Sequence, residues 1–146
     1  MRLAIGSDHA GFDLKETLKD WLSKLGHDVS DLGCFSPERT DYPLHAHAVA
    51  RAIASGQADR GVLICGSGIG VSIAANRIPG ARAALVSEPL SARLCREHND
   101  ANIVCMGARL IGRDMAVEIL KTFLSTPFEG GRHQQRVELI DRALSQ

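Results

Sequence analysis

Apolar and polar positions along this 146-residue chain change period repeatedly. Residues 2–6, RLAIG, make a short β-type run. Residues 12–25 then carry Phe12, Leu14, Leu18, Trp21, Leu22 and Leu25 at the spacing of one helical face, and Gly26 follows where a helix ends. A weak second strand spans about 28–32, the loop GCFSPERTDYP follows, and an alanine-rich helix runs from about 43 to 55. The run GVLIC at 61–65 is a third strand, with a helix over about 70–77. ARAALV predicts a fourth strand, PLSARLCREH a fourth helix, NIVCMG a fifth strand and RDMAVEILKTFLS a fifth helix. A glycine break then precedes a last helix within GGRHQQRVELIDRALSQ.

Short strands alternating with helices imply right-handed βαβ units and a parallel sheet covered on both faces. The expected fold class is α/β: a doubly wound five-stranded parallel sheet in a flavodoxin/Rossmann-like three-layer sandwich, with an extra C-terminal helix. Residues 1–146 read as a single domain, with no linker, repeat or low-complexity segment, and the expected strand order is 2-1-3-4-5. In such sheets ligands bind beyond the carboxyl ends of the strands where the order reverses, here between the first and third strands. The loops at that point are GSDHAG and CGSGIG.

Charge narrows the partners. Lys+Arg and Asp+Glu both number 17, so no net field gathers nucleic acid or anionic lipid, and an anion must be held locally. The start, MRLAIGSDHAG, is interrupted by Asp8 and His9 too early for a signal peptide, and no apolar run approaches a membrane span, so a cytoplasmic protein is expected. Cys34, Cys65, Cys95 and Cys105 form no C-x-x-C pair and no zinc spacing, which predicts reduced thiols. His45 and His47, two apart on a helix, share no face, and no metal site is expected.

Chemistry concentrates at the predicted crevice. Gly66, Gly68 and Gly70 free the backbone to turn sharply and approach a ligand, and the helix after them points N–H groups at the same spot. No Gly-Lys-Ser/Thr follows, so this is not a Walker A loop, and the third glycine comes one residue early for a dinucleotide fingerprint. Glu88, about 20 residues on, stands where a ribose-binding acid would. Cys65 reads either as a buried small hydrophobe or as a base, because thiols at helix N-termini ionise more readily than free cysteine. Cys105 reads as core. Asp8 is a cap or a crevice residue, His9 lies across the crevice, and His98 with Asn99 closes the fourth helix, where an imidazole is a helix-end surface group or a general acid. Arg132 and Arg136, one turn apart beside His133, form either a solvated face or, with Arg109, a phosphate clamp. An anionic-oxygen pocket, a thiol base, an imidazole acid and a phosphate clamp together suit proton transfer beside the carbonyl of a small phosphorylated sugar.

The segments GSDHAGFDLK, ERTDYP, CGSGIGVSIAANR, SEPLSARLCREHND, GARLIG and EGGRHQQRV resemble the type B ribose-5-phosphate isomerases, grouped with the lactose-pathway galactose-6-phosphate isomerase subunits, over nearly the whole chain. The resemblance implies interconversion of ribose 5-phosphate and ribulose 5-phosphate through an enediolate, without metal or organic cofactor. It makes Cys65 the base between C1 and C2, Ser67 its assistant in hydroxyl proton transfer, and the amides of Gly66, Ser67, Gly68, Ile69 and Gly70 the holders of the enediolate oxygen. His98 would protonate the ring oxygen, Asp8, Tyr42 and Asn99 would position hydroxyls, and His9, Arg109, Arg132, His133 and Arg136 would meet the phosphate. Some relatives use a glutamate just after the last glycine of the loop. Val71 stands there in this chain, which leaves the base to Cys65. The resemblance also implies a homodimer, or a dimer of dimers, with sites shared between subunits.

Two alternatives stay open on sequence. One is an isomerase of a hexose 6-phosphate such as allose or galactose 6-phosphate, built from the same groups. The other is a non-catalytic phosphosugar-binding module. A phosphorylation receiver would need a lysine after the fifth strand, where MGARLIG has arginine, and a flavin carrier would want aromatics at the crevice, whereas Trp21 lies in the first helix.

Overall fold

In the computed structural model, which describes residues 1–143, strands and helices alternate as the periodicity predicts. The elements are β1 (Arg2–Ser7), a 3-10 turn (His9–Gly11), α1 (Phe12–Lys24), β2 (Asp28–Asp31), α2 (Tyr42–Ala54), β3 (Arg60–Cys65), α3 (Ile69–Ala75), β4 (Ala83–Leu85), α4 (Pro89–Asn99), β5 (Ile103–Gly107), α5 (Arg113–Ser125) and α6 (Arg132–Arg142). The last residues of the predicted terminal helix, 144–146, lie outside the described residues. No helix among the described residues is long and apolar enough to cross a membrane.

All strand pairings are parallel, in the order β2-β1-β3-β5-β4. This corrects the expected 2-1-3-4-5: β5, not β4, lies beside β3. Burial explains the difference. Every residue of β5 is buried, as a strand flanked on both edges and covered on both faces requires, whereas β4 has three half-buried or exposed residues and suits an edge. Connections toward the β4 edge run through α2 and α3 on one face, and those toward the β2 edge run through α1 and α4 on the other. One crossover hand throughout demands that division.

The two faces bury different residues. Beneath α1, α4 and α5 lie Ile5, Leu18, Leu22, Val62, Ile64, Ile119 and Phe123, the larger of which contribute about 1.5–3 kcal/mol each by leaving water. The α2/α3 face is alanine-rich, with Ala46, Val49, Ala50, Leu63, Cys65, Val71 and Cys105, so these helices lie close to the sheet. Successive strand residues alternate faces, which sends Leu63 and Cys65 toward α2 and α3. On the β2 edge, fully buried Lys15 pairs with Asp31 at 2.6 Å and with Glu16 at 2.6 Å, and Lys19 joins both carboxylates, tying α1 to β2. Burial raises the Asp31 pKa, but hydrogen bonds from Lys15, Lys19 and the Gly33 N–H outweigh it and hold the carboxyl below its ordinary value.

Candidate active site

At the carboxyl ends of β1 and β3 a cleft of about 300 Å³ is lined by Asp8, Tyr42, Cys65, Ser67, Gly70 and Arg109, among others. It opens at the predicted reversal point, because β1 connects outward to β2 while the later strands build away from β3. Cys65 ends β3, and its sulfur accepts the Gly68 N–H at 3.1 Å. Gly68, at φ +77, caps α3, and Ser67 Oγ accepts the Ile69 N–H at 3.2 Å. A helix start leaves four N–H groups without intrahelical acceptors. Here Cys65 Sγ and Ser67 Oγ take two of them, those of Gly68 and Ile69. Ser67 accepts with its oxygen and keeps its own proton to give.

The walls explain the glycines. A Cβ on Gly70 would sit 2.6 Å from Tyr42 Cζ, and one on Gly66 would sit 3.2 Å from Arg109 Nη1. The phenol and the guanidinium therefore lie directly over the loop. Arg109 is held there by its N–H to Gly66 O at 3.0 Å, and Ala108 donates to Cys65 O at 2.9 Å. Asp8 caps the 3-10 turn through Oδ1, which accepts from Ala10 and Gly11, and it also lines the cleft, so both readings hold for one side chain. His9 lies beside it with Nδ1 accepting the Thr40 N–H at 3.3 Å. Glu88 is a cap as well: it accepts from Leu90 at 2.6 Å and from Ser91 at 2.8 Å, which corrects the ribose-acid position considered on sequence.

The other named residues lie elsewhere in the chain. A helix that follows a parallel strand runs back along it, so α4 starts at the carboxyl end of the sheet and finishes at the amino end. Asp100 to Asn102, just past α4, bond to Arg82 and Gly61 at the starts of β4 and β3. His98 and Asn99 are thus separated from Cys65 by roughly the length of β3, about 17–20 Å. With them is α6, through Arg82, which donates to Asp141 at 2.9 Å and to Asp100 at 3.1 Å. Within α6, Arg132 and Arg136 are exposed and His133 is buried. Asn99 lines a separate, mostly apolar hollow of about 420 Å³ beside β4.

The His98 and His133 rings stack with centroids 4.4 Å apart and planes 18° apart. Burial, then the nearness of His98 and of Arg132, lower the His133 pKa against the raising effect of Glu129. Glu129 Oε2 stands 3.4 Å from His133 Nε2, and sequence reasoning missed it. The Glu-x-x-x-His spacing was legible, but the glycine pair between them hid that the chain turns back. His45, set aside as a metal ligand, lies with Nε2 3.0 Å from Thr40 Oγ1. Cys95 and Cys105 are core thiols: burial pushes Cys95 up to about 11 and Cys105 higher still.

The fold and the cleft define a doubly wound α/β protein that presents a thiol and a glycine-rich helix start to a small anionic ligand. Residues 3–140 match the model of the ribose/galactose isomerase family, and the chain belongs to that family. It is 50% identical to ribose-5-phosphate isomerase B of Escherichia coli strain K12 over 139 residues, 95% of this chain and 93% of the relative. It is 42% identical to a D-erythrulose-4-phosphate isomerase of Pectobacterium atrosepticum, over 96% of this chain and 93% of the relative. The solved structure of Clostridium thermocellum ribose-5-phosphate isomerase B superposes with a TM-score of 0.98 at 48% identity, covering 99% of this chain and 98% of that one.

Proposed function

We infer that the chain is an aldose-ketose isomerase that interconverts D-ribose 5-phosphate and D-ribulose 5-phosphate. The observation that carries this reading is a thiol at the strand end, held by a helix-capping amide, in a cleft whose polar groups suit a small anionic sugar. Close similarity to ribose-5-phosphate isomerases over nearly the full chain supports the five-carbon substrate.

In this reading Cys65, as thiolate, removes the proton from C2 of the open-chain aldose while the O1 carbonyl gains electron density. The resulting enediolate is stabilised by the α3 amides and the Ser67 hydroxyl, and the Cys65 thiol returns the proton to C1. Ser67 carries the hydroxyl proton between O2 and O1. The Gly68 N–H bond to sulfur orients the thiol in the cleft. Asp8 and Tyr42 orient hydroxyls. His9 and Arg109 stand at the phosphate end of the cleft.

In this reading the ring-opening acid is His98, which with Asn99, Arg132, His133 and Arg136 lies at the far end of the same chain. A second copy related by a two-fold axis beside α2 and α3 would run its sheet in the opposite sense and bring that end over this cleft. The exposed Leu44, Ile69 and Ile73 on these helices give such a contact an apolar surface. Each site then takes its base from one subunit and its acid and phosphate arginines from the other.

The test is hydrogen exchange at C2 of ribose 5-phosphate in heavy water, followed by NMR for wild type and Cys65→Ala. Exchange with ribulose 5-phosphate formation in the wild type, both lost in the variant, is expected. Exchange surviving in Cys65→Ala would move the base elsewhere, and an inactive wild type would direct the assay to four- and six-carbon phosphates.

A further inference from the structure

We propose that His98, Glu129 and His133 form a binding site for a transition-metal dication such as Zn²⁺, and that occupancy of this site reversibly inhibits isomerisation. The three side chains each offer a ligand atom, and these atoms lie within 4.8 Å of one another. The pair His133 Nε2 and Glu129 Oε2, at 3.4 Å, already spans about the edge of a tetrahedron with metal–ligand bonds near 2.0–2.1 Å.

A second observation points the same way. His133 is 4% exposed, and its Nε2 has no hydrogen-bond partner among the described residues. Buried polar atoms left in that state are uncommon in folded proteins, and a bound ion is one of the things that satisfy them. Two imidazole nitrogens and one carboxylate oxygen are the donors of an open zinc site, with the fourth position left for water. An all-oxygen ion such as Mg²⁺ or Ca²⁺ has no such preference for imidazole.

The geometry sets what binding requires. Stacked rings do not aim their lone pairs at one point, so His98 must turn about χ2, a broad torsion, and its half-buried position leaves room. The neighbouring Arg132 and Arg136 oppose a dication, but both are exposed and screened at ordinary salt. The site is therefore exchangeable, not a structural metal centre.

Its effect on turnover rests on the reading of His98 as ring-opening acid and His133 as a phosphate contact, since the metal would occupy the nitrogens both roles use. Metal and sugar phosphate then exclude one another.

Calorimetric titration of the full-length protein with ZnCl₂ in phosphate-free buffer tests binding without reference to activity. One zinc per chain is expected, with affinity reduced about tenfold or more in both Glu129→Gln and His133→Asn, since even outer partners of metal sites cost 10–100-fold. In steady-state assays zinc should compete with ribose 5-phosphate. Glu129→Gln should keep its metal-free turnover and need at least about tenfold more zinc for the same inhibition. No binding, or binding unchanged in both variants, overturns the site. Binding abolished only by Cys65→Ala would put the metal on the thiol and overturn it equally. Zinc held at the cluster without inhibition would overturn the inhibitory role, whatever the substrate proves to be.

Discussion

The Gly68 N–H donates to Cys65 Sγ across 3.1 Å from a residue in the left-handed region, so the turn that starts α3 also orients the thiol. An alanine at 68 would keep φ +77 only under strain, and its Cβ would lie 2.6 Å from Leu85 Cδ1 and 2.8 Å from the Met106 carbonyl carbon. Gly68→Ala should cost about 2–4 kcal/mol of stability and most of the turnover. Denaturant midpoints and kcat measured together check this. A variant of unchanged stability and activity would show that the turn relaxes without disturbing the thiol.

Alkylation should discriminate among the four free cysteines. Iodoacetamide is expected to modify Cys65 first, with loss of activity and with protection by ribose 5-phosphate. Cys95, pushed up to about 11, and the fully buried Cys105 should stay unmodified in the native protein. Peptide mapping after partial inactivation gives the answer, and label on Cys95 or Cys105 before Cys65 would contradict it.

Two inactive variants should restore activity to each other. In the proposed shared site Cys65→Ala disables one half and His98→Asn the other. After unfolding and refolding an equal mixture, half the dimers are hybrids, each with one intact site. About a quarter of wild-type activity should return. No recovery, with hybrid dimers confirmed by mass spectrometry, would mean that both halves serve the same subunit.

Arg136→Ala should raise KM for ribose 5-phosphate about tenfold or more with a smaller change in kcat, because a phosphate contact remote from the reacting carbons binds ground and transition states alike. An unchanged KM would remove Arg136 from the phosphate site.

Acid stability should depend on Asp31. Its folded pKa is held below the unfolded carboxylate value of about 3.9, so its contribution is fully present above that value and lost as pH falls through the folded one. Asp31→Asn leaves the buried Lys15 with Glu16 alone and should cost about 2 kcal/mol at pH 7, roughly 4–8 °C in Tm. The two proteins should converge in stability toward pH 2. A Tm difference that persists there would assign the effect to packing and not to charge.

Much of this was legible in the chain. The one-faced periodicity of α1 and the spacing within 113–125 predict helices that the structure has, since burial of a single face leaves that trace. Strand order was not legible, because ARAALV and NIVCMG look alike as apolar runs, and the length that distinguishes edge from interior appears only when both are paired. The thiol half of the site could be read, since its residues fall at strand ends and in one glycine loop. For the imidazole half the sequence left a helix-end surface group and a general acid both open, although its distance from Cys65 follows from direction alone: a helix leaving the carboxyl end of a strand must return to the amino end. The Arg82 bridge between Asp100 and Asp141 joins positions far apart in sequence, and nothing local marks it, whereas Glu129 stands only four residues before His133.

The separation of His98 from Cys65 by the length of a strand bears on gene duplication. If one copy lost the thiol and its sister lost the imidazole and arginines, neither product would act alone. Together they would still assemble one complete site per pair, and selection would then hold both genes as partners. In the proposed shared site, two half-sites at opposite ends of one sheet would allow a self-sufficient enzyme to become an obligate pair of unlike subunits without inventing any new chemistry.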